Sequence, residues 1–325
     1  MNSTVPLLEK LQDMEPARDD FLDSVVEGLN APQKHLHCKF LYDEEGSHLF
    51  DDICELPEYY PTRTEIGILE SHAPDIAGVI GPRAQIVEFG SGAGIKIRLL
   101  LSALTDPVAY MPVEISREHL LAASASLASD FPALRIAPVC ADYTEPFTLP
   151  ALEGEAPANI AGFFPGSTIG NFTRDEAVKF LALTRRLLGR DATMIIGIDL
   201  VKDIDTLRAA YNDAKGVTAA FNLNFLKRIN RELGADFDLA AFDHDARWNP
   251  ELERIEMHLV SKQDQTVAIG GHRFAFRKGE TIHTESSHKY RIEGFRALAR
   301  EAGYEPERVW TDERNYFSVH ALRAV

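Results

Sequence analysis

Gln85-Ile86-Val87-Glu88-Phe89-Gly90-Ser91-Gly92-Ala93-Gly94 decides how this chain is read. A short apolar strand runs without a spacer into three glycines at alternate positions. Ile95 to Leu104 then reads as a helix. A glycine-rich turn between strand and helix lets backbone approach a ligand closely, because no Cβ intervenes. The helix N-terminus adds unpaired N–H groups and a positive dipole end, which suit an anionic group. Ligands of open α/β sheets bind at the carboxyl ends of the strands. Tyr110 to Ile115 is the next strand, and Glu114 near its end lies about 20 residues beyond Gly94, where a carboxylate can grip ribose hydroxyls.

The alternation extends on both sides. Thr62 with Glu65 three positions later reads as a capping box, opening a helix with apolar Ile66, Ile68 and Leu69. Beyond Glu114 come a helix over Arg117–Ala128, strands over Leu134–Val139 and Ala161–Phe164, a helix over Glu176–Leu188 and a strand over Ala192–Leu200. Nearly all-apolar strands alternating with helices imply a parallel sheet covered on both faces. From Val201 to Ser287 the texture changes to helical pieces, one ending near Gly234. Alternating stretches at Ile255–Val260 and Thr266–Phe276 follow, with Gly270-Gly271 as a hairpin turn. A helix over Ile292–Ala302, closed by Gly303, and strands around Val309 and Phe317–Val319 finish the chain. The expected fold is α/β: a Rossmann-like sheet with an antiparallel edge strand, plus a discontinuous α+β substrate domain. Residues 62–200 and 288–325 are assigned to the first domain, residues 1–61 and 201–287 to the second.

Composition narrows the function. The 325 residues carry 34 Lys and Arg against 50 Asp and Glu, a net charge of −16 that repels nucleic-acid phosphates and anionic lipid. Three cysteines, Cys38, Cys54 and Cys140, fit no disulfide framework and point to a reducing compartment. The opening MNSTVPLLEKLQDMEPARDD lacks a basic stretch followed by an apolar one, and no run of about 18 apolar residues occurs. A cytoplasmic setting is expected. The spacing G-x-G-x-G departs from the dinucleotide fingerprint G-x-G-x-x-G, which weakens a nicotinamide cofactor, and no Gly-Lys-Ser/Thr follows to make an ATPase loop. No metal is expected, since His35, His37 and Cys38 have no complementary pair elsewhere. Asp243-His244-Asp245 reads as a solvated turn, and Ser287 lacks the G-x-S-x-G of a hydrolase nucleophile. Cys140 reads as a packed small hydrophobe.

Glu88-Phe89-Gly90-Ser91-Gly92-Ala93-Gly94 resembles motif I of class I S-adenosylmethionine-dependent methyltransferases. Further stretches resemble one family, the ergothioneine-pathway L-histidine Nα-methyltransferases. They are Leu56-Pro57-Glu58-Tyr59-Tyr60-Pro61-Thr62-Arg63-Thr64-Glu65, Gly166-Ser167-Thr168-Ile169-Gly170-Asn171 and Asp199-Leu200-Val201-Lys202-Asp203. Gly216-Val217-Thr218-Ala219-Ala220-Phe221-Asn222, Glu253-Arg254-Ile255-Glu256-Met257 and Thr284-Glu285-Ser286-Ser287 match as well, in family order. The resemblance implies stepwise conversion of L-histidine to its Nα,Nα,Nα-trimethyl form, hercynine, by a monomer acting on a small-molecule amino acid.

It also implies residue roles. Gly90 and Lys96 would contact the methionine part of S-adenosylmethionine, Glu114 its ribose, and Asp142 with Tyr143 its adenine, and the loop glycines Gly92 and Gly94 are expected to bind the cofactor as well. The family often has Asp where this chain has Glu114, and both carboxylates accept from two hydroxyls. Asn171 and the carbonyl of Gly166 would hold the α-amine, and Tyr42 with Tyr211 the carboxylate. Tyr59, Glu285 and Ser287 would read the imidazole, with Met257 and Phe221 lining the pocket. Taken without the resemblance, these last residues read as core packing or as polar groups at a strand end. Two alternatives stay open: the same transfer to another α-amino acid, and a non-catalytic S-adenosylmethionine-binding protein.

Overall fold

The computed structural model describes residues 8–14, 19–92, 94–152 and 156–325. Ala93 of the glycine loop and most of the opening stretch lie outside the described residues. In chain order the elements begin with β1 (Gln12–Asp13), α1 (Asp19–Asn30), α2 (Glu44–Cys54) and α3 (Tyr60–Ile80). Next come β2 (Ala84–Phe89), α4 (Ile95–Ala103), β3 (Ala109–Glu114), α5 (Arg117–Asp130), β4 (Arg135–Ile136), β5 (Val139–Cys140), β6 (Asn159–Phe164), α6 (Arg174–Leu188) and β7 (Thr193–Asp199). After α7 (Ile204–Ala210) and α8 (Val217–Leu233) come β8 (Phe242–Asn249), β9 (Arg254–Ser261), β10 (Gln265–Ile269), β11 (His272–Phe276) and β12 (Thr281–His288). The chain closes with α9 (Ile292–Glu301), β13 (Tyr304–Thr311) and β14 (Phe317–Ala324).

Two compact units result, one from Met1–Pro16, Pro61–Leu200 and Tyr290–Val325, the other from Ala17–Tyr60 and Val201–Lys289. In the first, the described residues form a nine-stranded sheet in the order β1-β5-β3-β2-β6-β7-β14-β13, with β4 also on β3. Strands β1 to β7 pair in parallel, while β14 and β13 run antiparallel. Parallel strands need cover on both faces, and the alternation of their side chains supplies it. Val87, Phe89, Phe164 and Ile196 pack on one face with Phe180 of α6 and Phe295 of α9. Ile86, Tyr110, Phe163 and Ile195 pack on the other with Ile68 of α3, Leu100 of α4 and Leu127 of α5. The strand expected over Leu134–Val139 is two short pieces, because Pro138 has no N–H to give a ladder. Gln12–Asp13, expected in the second domain, pairs with Val139–Cys140 at the edge of this sheet instead.

The second unit contains the antiparallel sheet β12-β9-β8 and the hairpin β10-β11, whose turn is Gly270-Gly271. Asp243-His244-Asp245 is no solvated turn but part of β8. His244 is fixed at both nitrogens, Nε2 lying 2.8 Å from the Tyr211 carbonyl and Nδ1 2.9 Å from Nδ2 of Asn222. A bulge interrupts β12: His283 faces His258 of β9, whereas Glu285 faces Met257, one residue along, so Thr284 is the extra residue. Without it, His283 and Glu285 would share a face; the bulge turns Glu285 and Ser287 to the Met257 side. Among the described residues no helix is long and apolar enough to cross a membrane.

Candidate active site

In the first unit the expected cofactor residues gather at the carboxyl ends of the parallel strands. Gly90, just past β2, donates its N–H to the Val113 carbonyl at 2.8 Å, which ties the loop to the end of β3. Gly90 and Gly94 sit at φ of 79° and 74°, where a side chain is strained. Gly94 begins α4 without a side-chain cap, and Gly92 is exposed beside it. One oxygen of Glu114 accepts from the N–H groups of Ile115 and Ser116 at 2.8 and 3.2 Å. Such anchoring fixes the carboxylate while its second oxygen stays available. Past β5, Asp142 accepts from the Thr144 N–H at 3.0 Å, and the Tyr143 ring packs against Phe89, Phe164 and Phe180. The short 3-10 turn Thr168–Asn171 follows β6 and places Asn171 half-buried near that end of the sheet. Ser167 before it adopts φ 57°, held there by the Asp199 N–H, which donates to its hydroxyl at 2.9 Å.

Two buried acids underlie this edge. Glu65, expected to cap its helix, is fully buried. Its carboxylate accepts from Lys96 Nζ at 2.5 Å and from the Gly166 N–H at 2.8 Å. One residue therefore positions both an expected cofactor contact and the loop of an expected amine contact. Gly197 of β7 makes room for it, since a Cβ there would fall 1.9 Å from the carboxylate. Glu88 is also buried and accepts from the Tyr110 hydroxyl; loss of solvent pushes its carboxyl up to about 8 despite that bond. At neutral pH it is mostly a neutral acid.

In the second unit the expected substrate residues form one aromatic and polar wall. Tyr42 meets Phe221 edge-on at 5.6 Å, and Tyr59 meets Tyr211 at 6.1 Å. Phe50, absent from the expected set, bridges them, with centroids 5.6 Å from Tyr42 and 6.1 Å from Tyr59. Its signal, a lone aromatic in an amphipathic helix, is indistinguishable from ordinary packing. Met257 is buried opposite Glu285 across β9 and β12. Desolvation pushes the Glu285 carboxyl up to about 7, against the pull of the Lys289 cation. Burial likewise holds the Tyr59 phenol well above its usual range, so it stays protonated. Tyr211 donates to Ser287 Oγ at 2.7 Å, so an expected carboxylate contact and an expected imidazole contact share one hydrogen bond in this structure. Lys289, only 3% exposed, donates to Ser287 Oγ at 2.7 Å and to the Tyr211 hydroxyl at 2.9 Å. Sequence reasoning missed it, because a single lysine in a polar stretch reads as solvated.

The other side of β9 carries Glu256 and His258, and His283 of β12 completes a group whose ligand atoms lie within 4.8 Å of one another. Arg254 donates to Glu256 at 2.6 Å, and with Asn249 and His258 it holds that carboxyl down to about 2 against the desolvation that opposes them. A guanidinium at the carboxylate makes this a hydrogen-bonded seam and a poor cation site.

The family model for histidine-specific, S-adenosylmethionine-dependent methyltransferases matches residues 21–324. The chain belongs to the histidine-specific methyltransferases. It is 41% identical over 299 residues to the histidine N-alpha-methyltransferase of Mycolicibacterium smegmatis, covering 90% of this chain and 91% of that protein. Against the protein of the same name from Mycobacterium tuberculosis the figures are 40% over 303 residues, 91% and 92%. Ergothioneine biosynthesis protein 1 of Neurospora crassa is 32% identical over 302 residues, covering 89% of this chain and 33% of that protein. The cofactor of this methyltransferase is S-adenosylmethionine. Its residues fit that group: a glycine turn open to close approach, an anchored carboxylate at the end of β3, and an aromatic ring at the end of β5.

Proposed function

We propose that this methyltransferase converts L-histidine stepwise to Nα,Nα,Nα-trimethyl-L-histidine (hercynine), in ergothioneine biosynthesis and in the cytoplasm, acting as a monomer. The observation that carries the histidine assignment is Glu285, a desolvated carboxylate turned to the Met257 side by the bulge, with Ser287 two residues along on the same face. Two polar groups reading two ring nitrogens reject phenylalanine or leucine, which leave both without partners. The sequence relationship to the histidine N-alpha-methyltransferases supports the same reading.

S-adenosylmethionine supplies an activated methyl group. Gly90 and Lys96 would bind its methionine part, Glu114 the ribose, and Asp142 with Tyr143 the adenine. Tyr42 and Tyr211 would hold the histidine carboxylate, and Tyr59, Glu285 and Ser287 the ring, with Met257 and Phe221 beside it. Asn171 and the Gly166 carbonyl would orient the amine. The amine must be neutral to attack, and its pKa in water is about 8 or above. Asn171 accepts from it without stabilising the ammonium form as a carboxylate would. Alignment at about 3–3.5 Å is the main contribution of these residues, and no dedicated strong base is required. The test is incubation with S-adenosylmethionine and each amino acid in turn, followed by mass spectrometry. Mono-, di- and trimethylated histidine is the expected result; a different methylated amino acid, or none, overturns the assignment.

A further inference from the structure

The bulge that turns Glu285 is tied on more than one side. Thr284, the extra residue, is buried, and its hydroxyl donates to the Met257 carbonyl across on β9 at 3.1 Å. His283 stands just before it, and its ring bonds along the same strand. Its Nε2 lies 3.0 Å from the Glu285 carbonyl and 3.1 Å from Ser286 Oγ. Burial and the neighbouring His258 hold the pKa of the His283 ring down to about 4, so at neutral pH it carries one hydrogen. A carbonyl only accepts, so that hydrogen sits on Nε2, with Ser286 Oγ as a second acceptor. The main chain of His283 is committed too: its N–H donates to the Lys34 carbonyl at 2.8 Å, and its carbonyl accepts from the Leu36 N–H at 2.9 Å. Among the described residues, by contrast, none donates a hydrogen bond to the Glu285 carboxylate. Its place is inherited from the backbone that carries it.

We propose that Thr284 and His283 are positioning residues: the threonine hydroxyl ties the bulge to β9, the histidine ring ties it along β12, and together they set where Glu285 meets the imidazole. This rests on the histidine reading above. Both bonds oppose a slip of Thr284 back into the ladder opposite Met257. Such a one-residue slip would carry Glu285 to the His258 side of the sheet, away from the ring it reads. The contact between Glu285 and the imidazole is present in the bound substrate and in the transition state alike. A displaced Glu285 therefore raises KM for histidine and leaves kcat nearly unchanged.

The test is a double-substitution cycle read in the kinetics with histidine. Thr284→Val keeps the shape and removes the hydroxyl. KM for histidine then rises about tenfold, the scale of one hydrogen bond, while kcat and KM for S-adenosylmethionine stay within about twofold. Thr284→Ser returns the hydroxyl and brings KM back to within about threefold of wild type. In a Glu285→Ala background, Thr284→Val changes kcat/KM by less than about twofold, because the group it aims is gone. A merely structural threonine gives factors that multiply instead. His283→Leu against His283→Gln, whose amide can donate in place of Nε2, makes the same comparison if Thr284→Val does not fold. A wild-type KM in Thr284→Val, a Thr284→Ser as impaired as Thr284→Val, or factors that multiply overturn the proposal. If the wild-type protein methylates no histidine at all, the functional assignment fails instead, so the two failures are distinguishable.

Discussion

Exchanging Glu65 for Gln, Lys96 for Met, and then both measures how firmly the cofactor edge of the first unit is braced. Glu65 is 0% exposed and its carboxylate holds Lys96 at 2.5 Å and the Gly166 N–H at 2.8 Å. Removing one partner of a buried ion pair costs about 3–5 kcal/mol, chiefly through the charge left behind. The Lys96 side chain is 17% exposed, so its ammonium can turn toward water, and Glu65→Gln falls at the low end, about 3 kcal/mol. The amide introduced by Glu65→Gln still offers an oxygen to Gly166, which separates the loss of charge from the loss of the loop anchor. Lys96→Met strands a carboxylate with no route to solvent and falls at the high end, about 5 kcal/mol. The double variant has no orphaned charge, and its cost is smaller than the sum of the singles by about 2 kcal/mol or more. Trp310, buried in the first unit, reports its unfolding in urea once Trp248 of the second is replaced by Phe. Strictly additive free energies, within about 0.5 kcal/mol, refute the coupling.

Other expectations follow from the same geometry. The Glu285 carboxyl is raised from 4.5 to about 7, so the folded protein keeps a proton that the unfolded chain releases between those values. Stability falls as pH rises through that window, and Glu285→Gln abolishes this part of the fall. Urea midpoints at about pH 5 and about pH 8 check it, and a variant-minus-wild-type difference equal at both rules out the desolvated carboxyl. Asn171→Ala lowers kcat about a hundredfold with little change in S-adenosylmethionine affinity, and a wild-type rate across the pH profile removes its proposed role. Gly197→Ala drives a methyl group into the Glu65 carboxylate and destabilises the first unit by about 3 kcal/mol or more; thermal melting at an unchanged midpoint contradicts that clash.

The parallel sheet was legible because its signals are local: an apolar strand, a glycine turn and a periodic helix in register. What escaped depends on distant partners. Thr62 and Glu65 have capping-box spacing, yet Glu65 answers Lys96 and Gly166, 31 and 101 residues away. Asp243-His244-Asp245 looks like a charged turn because alternation in a mixed strand is easily masked by histidine. The partners of His244 are Asn222 of α8 and the carbonyl of Tyr211, just after α7. The aromatic wall around Tyr42, Tyr59 and Phe221 was named through family resemblance alone, since packing and pocket aromatics have the same pattern. Lys289 and the Thr284 bulge left no trace in spacing, because strand register is set by pairing.

The placement of β14 has a consequence for biosynthesis. It follows every other described strand in the chain, yet it lies inside the large sheet, between β7 and β13. The intervening unit, Ala17–Tyr60 with Val201–Lys289, is fully translated earlier and can settle while its host still lacks an interior member. Until Phe317–Ala324 emerges, β7 displays a bare hydrogen-bonding edge, so a nascent chain stalled before that segment exposes a template for aggregation that the folded sheet conceals.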